Sequence, residues 1–307
     1  MLAVLAPVIA FGLASVAALP LSANHTLHAR AANKLFPVSD TTSWSVSSAV
    51  TDALAFNDDT FRPEHEIKDL THPYVAAPDG VQSMQVHYPK GSFKLSAAPP
   101  TPRGGLSFYA PGPASVDLTT AQEATLSYSV FFPDGFDFVK GGKLPGLYGG
   151  NSDDVATSCS GGRRDDDCFS VRFMWRTDGQ GELYTYLPPS FEANKAVCNV
   201  APFSTCNDVF GASVGRGSFN FAPGTRTTIG QRVKLNDVGT ANGEIELFVE
   251  GKSIFTVTGL ELVNAAEGRI RGMQMQSFFG GSDSSWATPK DQDIFLSDFS
   301  VAITKKF

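Results

Sequence analysis

The clearest alternation of apolar and polar positions runs through residues 168–187, CFSVRFMWRTDGQGELYTYL. Side chains on a strand point to opposite faces in turn. On the first arm Phe169, Val171, Phe173 and Trp175 share one side, and Ser170, Arg172, Met174 and Arg176 the other. Asp178-Gly179 supplies a turn. On the second arm Leu183, Thr185 and Leu187 alternate with Glu182, Tyr184 and Tyr186. The pattern predicts a β-hairpin with one face suited to a core. The other face gathers two guanidiniums, two phenols, a hydroxyl and a carboxylate, a set suited to gripping an anionic, ring-shaped ligand. Tyr also favours strands in its own right, so the face alone does not separate a site from a plain sheet.

Elsewhere the chain reads as short strands punctuated by Gly, Pro, Asn and Asp, at 83–88, 106–110, 125–132, 227–235, 244–249, 253–257, 269–279 and 293–303. A helical turn fits 51–55, and no long helical periodicity follows. Residues 140–167 read as a long Gly-rich loop ending in Arg163-Arg164-Asp165-Asp166-Asp167. Without repeats or an internal linker after residue 81, the pattern predicts one all-β domain, a sandwich or jelly roll. The division is a leader at 1–18, an N-terminal extension and leading segment at 19–74, and the β-jelly-roll domain at 75–307.

The apolar stretch 1–18 resembles a secretory signal peptide with cleavage near Ala17-Ala18, and Asn24-His25-Thr26 is a glycosylation sequon. Four cysteines, Cys159, Cys168, Cys198 and Cys206, suit an exported protein. Of their three connectivities, the local pairing Cys159–Cys168 and Cys198–Cys206 is the simplest. Their spacing does not match a zinc site. The net charge of −7 argues against nucleic acid as a partner while leaving room for a local basic cleft.

Candidate chemistry narrows quickly. A glycosidase needs two carboxyl groups flanking the bond; Glu244 and Glu246 alternate with Ile245 and Leu247, which places them, with nearby Glu250, on a solvated outer face. Asp165–Asp167 is read as a solvated loop ahead of a calcium site. All five histidines precede residue 90, and His65, His72 and His87 lack ligand spacing. Elimination on a uronic acid polymer asks for different groups. A base removes the C5 proton, an acid protonates the departing O4, and a cation stabilises charge that develops on the carboxylate. Tyr can serve in proton transfer where cations lower its pKa. Arg, Lys, Tyr and Ser suffice, with no metal or cofactor.

Gly142-Lys143-Leu144-Pro145-Gly146-Leu147, Ser170-Val171-Arg172 and Tyr184-Thr185-Tyr186, in this order and spacing, resemble polysaccharide lyase family fourteen, which holds alginate and glucuronan lyases. Tyr88–Ser92 and Phe278-Phe279-Gly280-Gly281 look like that family too, and the likeness spans roughly residues 75–303. It implies a concanavalin-like, two-sheet β-jelly roll with a concave substrate cleft lined by Lys143, Ser170, Arg172, Tyr184 and Tyr186. On that basis Arg172 neutralises the carboxylate and one or both tyrosines move protons. Lys143 supports the leaving oxygen or the carboxylate, and Ser170 orients one of these groups. Gln274, Gln276 and Arg176 are expected to bind substrate. The expectation is a secreted, monomeric lyase acting on an anionic polysaccharide, glucuronan or another glucuronate polymer ahead of alginate, with no membrane partner once the leader is removed. The competing class is a lectin-like module that holds acidic sugar without catalysis.

Overall fold

The computed structural model describes residues 1–2, 34–40 and 42–307. The leader beyond its first two residues and the sequon at Asn24 lie outside the described residues. One sheet runs in the order β12 (Lys252–Leu260), β11 (Gly243–Val249), β10 (Arg226–Lys234), β5 (Ala121–Phe131), β14 (Gln292–Lys306), β3 (Gln82–Tyr88) and β2 (Tyr74–Ala76), with β1 (Thr42–Ser45) also paired to β14. The other runs β4 (Leu106–Ala110), β13 (Arg269–Phe279), β6 (Gly141–Gly150), β7 (Cys168–Arg176), β8 (Gln180–Tyr186) and β9 (Ala212–Asn220). Every neighbouring pair is antiparallel. The result is the two-sheet jelly roll expected.

The core lies between the sheets, and the apolar hairpin face enters it: Phe169, Val171, Phe173, Trp175 and Leu183 are fully buried there. Trp175 packs edge-on against Phe132, Phe136 and Phe279 with centroids 5.6, 6.1 and 5.3 Å away. Such pairs contribute roughly 0.5–1.5 kcal/mol each beyond their buried area. The leading segment joins the same core. Trp44 of β1 and Phe61, at the end of a one-turn helix Asp58–Phe61, are buried in it, and Phe61 meets Phe299 of β14 at 5.2 Å.

The structure corrects two local expectations. The helical turn expected at 51–55 falls instead at Asp58–Phe61, where the Asn57 side chain caps the Thr60 amide; a polar cap, not periodicity, sets it. The Gly-rich stretch read as loop from residue 140 is β6, a central strand. Its glycines are there for close approach, not flexibility. A Cβ on Gly146 would sit 2.0 Å from the Val171 carbonyl oxygen, and one on Gly142 would sit 2.1 Å from the Trp175 ring.

On the outer face of the larger sheet Arg232 binds Glu123, Glu244 and Glu246 at 2.7, 2.7 and 2.8 Å. This is the outer-face placement read from the alternation of β11. His72 pairs with Asp58 at 3.0 Å and His87 with Asp293 at 2.8 Å.

Candidate active site

The register of the smaller sheet assembles the site. Directly opposed residues on adjacent strands share a face. Tyr109, Gln274, Gly146, Arg172, Tyr184 and Ser213 form one row across all six strands. Phe278, Lys143, Met174 and Glu182 form a second row, and Tyr148, Ser170 and Tyr186 a third. With no side chain at Gly146, the β7 backbone at Val171 and Arg172 comes close against the middle of the first row.

Pro145 shapes the strand that carries Lys143. Proline has no N–H for the ladder, and the register slips between Leu144 and Gly146. Freed backbone groups need partners. Tyr128, from the opposite sheet, donates to the Pro145 carbonyl (2.8 Å), the Gln231 amide oxygen accepts from Leu147 N (3.3 Å), and the Ser277 hydroxyl donates to the Lys143 carbonyl (2.9 Å). Both sheets therefore fix the lysine.

The Lys143 side chain is buried, its Nζ 2.9 Å from Met174 Sδ and 3.6 Å from the centre of the Tyr184 ring. Burial, followed by Arg176 and Arg172, holds its pKa well below the usual lysine value, and Glu182 opposes them. Arg172 is 1% exposed. Its Nη1 donates to Gln276 Oε1 (3.1 Å), its guanidinium lies 5.9 Å from the Tyr186 ring, and its Nε has no hydrogen-bond partner among the described residues. Burial pushes the Tyr184 phenol up; Tyr186 adds to this, and Arg172 and Arg176 only partly offset it. That corrects the expectation of a cation-lowered tyrosine at this position: desolvation wins over two neighbouring charges. The Tyr186 oxygen accepts from Gly162 N at 3.0 Å.

The remaining candidates hold these groups in place. Gln276 Nε2 donates to Ser107 Oγ, while Gln274 Nε2 donates to Gln276 Oε1 (2.9 Å) and to Tyr109 Oη (3.2 Å). Both glutamines thus stand behind Arg172. Two nitrogens of Arg176 reach Glu182 Oε1 at 2.7 Å, and the other oxygen of that fully buried carboxylate takes Arg216 Nε at 3.0 Å and the Ser213 hydroxyl. The Ser170 hydroxyl donates to the Cys159 carbonyl (2.8 Å), so its hydrogen goes to the neighbouring loop and not to Lys143, Arg172 or a tyrosine.

Above these residues opens a cavity of about 520 Å³. Its lining carries Lys94, Lys143, Arg172, Arg176 and Arg216 and no carboxylate, a basic cleft in an acidic protein. The two disulfides pair as the local reading had it, Cys159–Cys168 and Cys198–Cys206, with Cα atoms 5.8 and 5.4 Å apart. Asp166 accepts from Ser190 N and Asp167 from Asn151 and Asn264, so this acidic run ties loops together. Among the described residues no group of three or more His, Cys, Asp or Glu is placed to hold a metal ion.

Sequence reasoning missed Arg216, Ser213 and Trp286, which also line the cleft. Arg216 and Ser213 lie on β9, where Gly215 and Gly217 interrupt any alternation. Trp286 lies in a short 3-10 turn, Ser284–Trp286, that no periodicity marks.

Comparison with known proteins shows the family and the fold. The family model described as Polysaccharide lyase 14 matches residues 76–299. A marine PL-14 alginate lyase from Aplysia kurodai is 32% identical with a TM-score of 0.70, over 86% of this chain and 99% of that one. Alginate lyase vAL-1 from Chlorella virus is 24% identical with a TM-score of 0.62, over 78% of this chain and 90% of that one. The alginate lyase Aly36B is 23% identical with a TM-score of 0.53, over 74% and 82%. A search of curated proteins finds no match.

Proposed function

The chain belongs to polysaccharide lyase family 14, and from that premise we propose that it cleaves a 1,4-linked polyuronate by β-elimination, with Arg172, Lys143 and Tyr184 as the reacting set. The observation that carries the reading is the buried amine of Lys143 lying 3.6 Å over the Tyr184 ring, one row from an Arg172 with an unpartnered Nε. Arg172 receives the substrate carboxylate, whose negative charge grows as the C5 proton leaves. A lysine depressed by burial and by arginines has neutral amine available to take that proton. Tyr184, kept protonated by burial, gives its proton to O4 as the C4–O4 bond breaks. The electron pair from C5–H forms the C4–C5 double bond, and the Lys143 ammonium then returns a proton to the Tyr184 phenolate, so that over the whole cycle one proton moves from carbon to oxygen and no water is consumed.

Alginate becomes the first substrate to test, ahead of glucuronan, because the relative that shares 32% of its residues is an alginate lyase. C5 epimers present the same carboxylate and leaving group, so this order rests on likeness rather than on the reacting set. The two disulfides support an exported protein. No helix among the described residues is long and apolar enough to cross a membrane.

The test is ultraviolet absorbance of the new double bond during incubation with polymannuronate, polyguluronate and glucuronan in parallel. A rise on one or more polymers is expected. Tight binding of a polymer with no rise would replace the lyase by a lectin-like module.

A further inference from the structure

The loop closed by the Cys159–Cys168 disulfide, together with Thr157 two residues before it, grips the site at three points, each through a main-chain group. Tyr109 Oη donates to the Thr157 carbonyl (3.1 Å), Ser170 Oγ donates to the Cys159 carbonyl (2.8 Å), and Gly162 N donates to Tyr186 Oη (3.0 Å). Cys168 begins β7, two residues before Ser170, and both cysteines of the bridge are buried. Gly161 and Gly162 have φ of 62° and 89°. Two successive left-handed residues turn a backbone N–H toward a single acceptor, a geometry open to glycine at little cost.

We infer that this loop is a clamp that orients Tyr186 and, through Tyr109 and Gln274, Arg172, and that Ser170 is a positioning residue acting through the loop, not on the substrate. The inference rests on the elimination reading for its kinetic arm only. A donor on the phenolic oxygen fixes the hydroxyl torsion and leaves the phenolic hydrogen to point elsewhere. On the other side, Tyr109 accepts from Gln274, which donates to the same Gln276 oxygen that takes Arg172 Nη1. The Tyr186 branch therefore ends on a main-chain amide inside the disulfide-closed ring, and the Arg172 branch on the Thr157 carbonyl two residues before it. Ser170 itself is 1% exposed and is not among the residues that line the cavity.

The experiment combines steady-state kinetics with hydrogen exchange of a peptide covering residues 160–166. Ser170→Ala should lower kcat roughly tenfold with KM within about twofold, because small misplacements of reacting groups cost rate more than binding. It should also speed exchange in the peptide. The Cys159→Ser/Cys168→Ser double variant should reproduce both effects. In a Tyr186→Phe background, Ser170→Ala should cost much less than in the wild type, since coupled residues are non-additive. An unchanged rate and exchange in Ser170→Ala, or the same cost with and without the Tyr186 hydroxyl, overturns the clamp. If the wild type turns over none of the polymers, the elimination reading fails, and the exchange rates of Ser170→Ala and Tyr186→Phe decide the clamp by themselves.

Discussion

Replacing Glu182 by Gln removes one charge from beneath the cleft with almost no change of shape. Glu182 is fully buried, and it takes two nitrogens of Arg176 on one oxygen and Arg216 on the other. The side chains of these arginines are only 11% and 28% exposed, so water screens the pair weakly. Removing one partner of a buried pair costs about 3–5 kcal/mol, since the other charge stays behind uncompensated. The amide keeps one acceptor oxygen, which puts the expected loss near the lower end, about 3 kcal/mol. The faces of Tyr184 and Trp286, 5.8 and 5.9 Å from the Arg176 guanidinium, return little of it, because such contacts contribute about 0.5–1 kcal/mol. At roughly 2–4 °C per kcal/mol for a domain near this size, Tm should fall by about 6–12 °C.

The same substitution tests Lys143. Burial, Arg176, Arg172 and Arg216 hold its pKa down, while Glu182 pushes it up. Without the carboxylate the pKa falls further, and the neutral amine persists to lower pH. The acid limb of kcat/KM should therefore move toward lower pH even though the protein is less stable. Thermal denaturation and rate profiles over a pH series, at fixed ionic strength, measure both effects. An acid limb that stays put or moves upward, in a variant that loses stability as expected, would remove Lys143 from the role of base. An unchanged Tm would show that the buried pair contributes nothing net.

Arg172→Lys keeps the charge but loses the planar fork that both Gln276 and a carboxylate address; kcat should fall by about 10²–10³, the cost of deleting a donor to developing charge, and near-normal initial rates would refute its role. Tyr184→Phe should lower kcat by about 10²–10⁴ with the circular dichroism of the wild type, and rates within about twofold would move the acid elsewhere. Gly146→Ala forces a Cβ to 2.0 Å from the Val171 carbonyl oxygen and 2.5 Å from the Arg172 Cα. β7 must shift, so denaturant midpoints should report a loss of about 1–3 kcal/mol together with a drop in kcat; a silent substitution would mean that β6 and β7 separate freely.

What could be read from the sequence follows the physics of each element. The hairpin of β7 and β8 was legible because its period of two is strict and its inward residues, Thr185 apart, are large and apolar. β13 was legible from the alternation of Met273 and Met275 with Gln274 and Gln276 at its centre, although its register slips on either side. β6 was not, because its glycines signal loops in isolation, and only the carbonyls and rings packed against them reveal a crowded strand. β9 was hidden by two glycines, and with it Arg216 and Ser213. At the site, residue types indicated which groups gather but not which are free. Arg172 and Arg176 sit four residues apart on one face with the same chemistry. Ser170 has the type of a catalytic hydroxyl, yet its hydrogen goes to a loop carbonyl. Three-dimensional pairing, set by residues from four other strands, makes these distinctions.

That pairing also explains why one arginine suits the substrate and the other the scaffold. Arg176 faces Glu182, a counter-charge that stays in place. Arg172 faces Gln276 and the Tyr186 ring, partners that orient a cation without cancelling it. A carboxylate in the place of Gln276 would stabilise the empty site and compete with the substrate's own carboxylate. The neutral amide leaves Arg172 desolvated and uncompensated, which strengthens its attraction for an incoming anion. The tyrosines serve two purposes under this arrangement. Their faces hold Lys143 and Arg172, cations for which the cleft lining offers no carboxylate, and under the proposed elimination a tyrosine hydroxyl also carries a proton. Phenylalanine would supply the first property alone, and glutamate would supply proton transfer while neutralising the arginine. The outer sheet has the opposite stoichiometry, with Arg232 among Glu123, Glu244 and Glu246. With a Debye length of about 8 Å at physiological ionic strength, the acidic back and the basic cleft act as separate fields. Under the proposed function a polyanion is drawn to the cleft, where Arg172 is a buried charge with no carboxylate partner among the described residues.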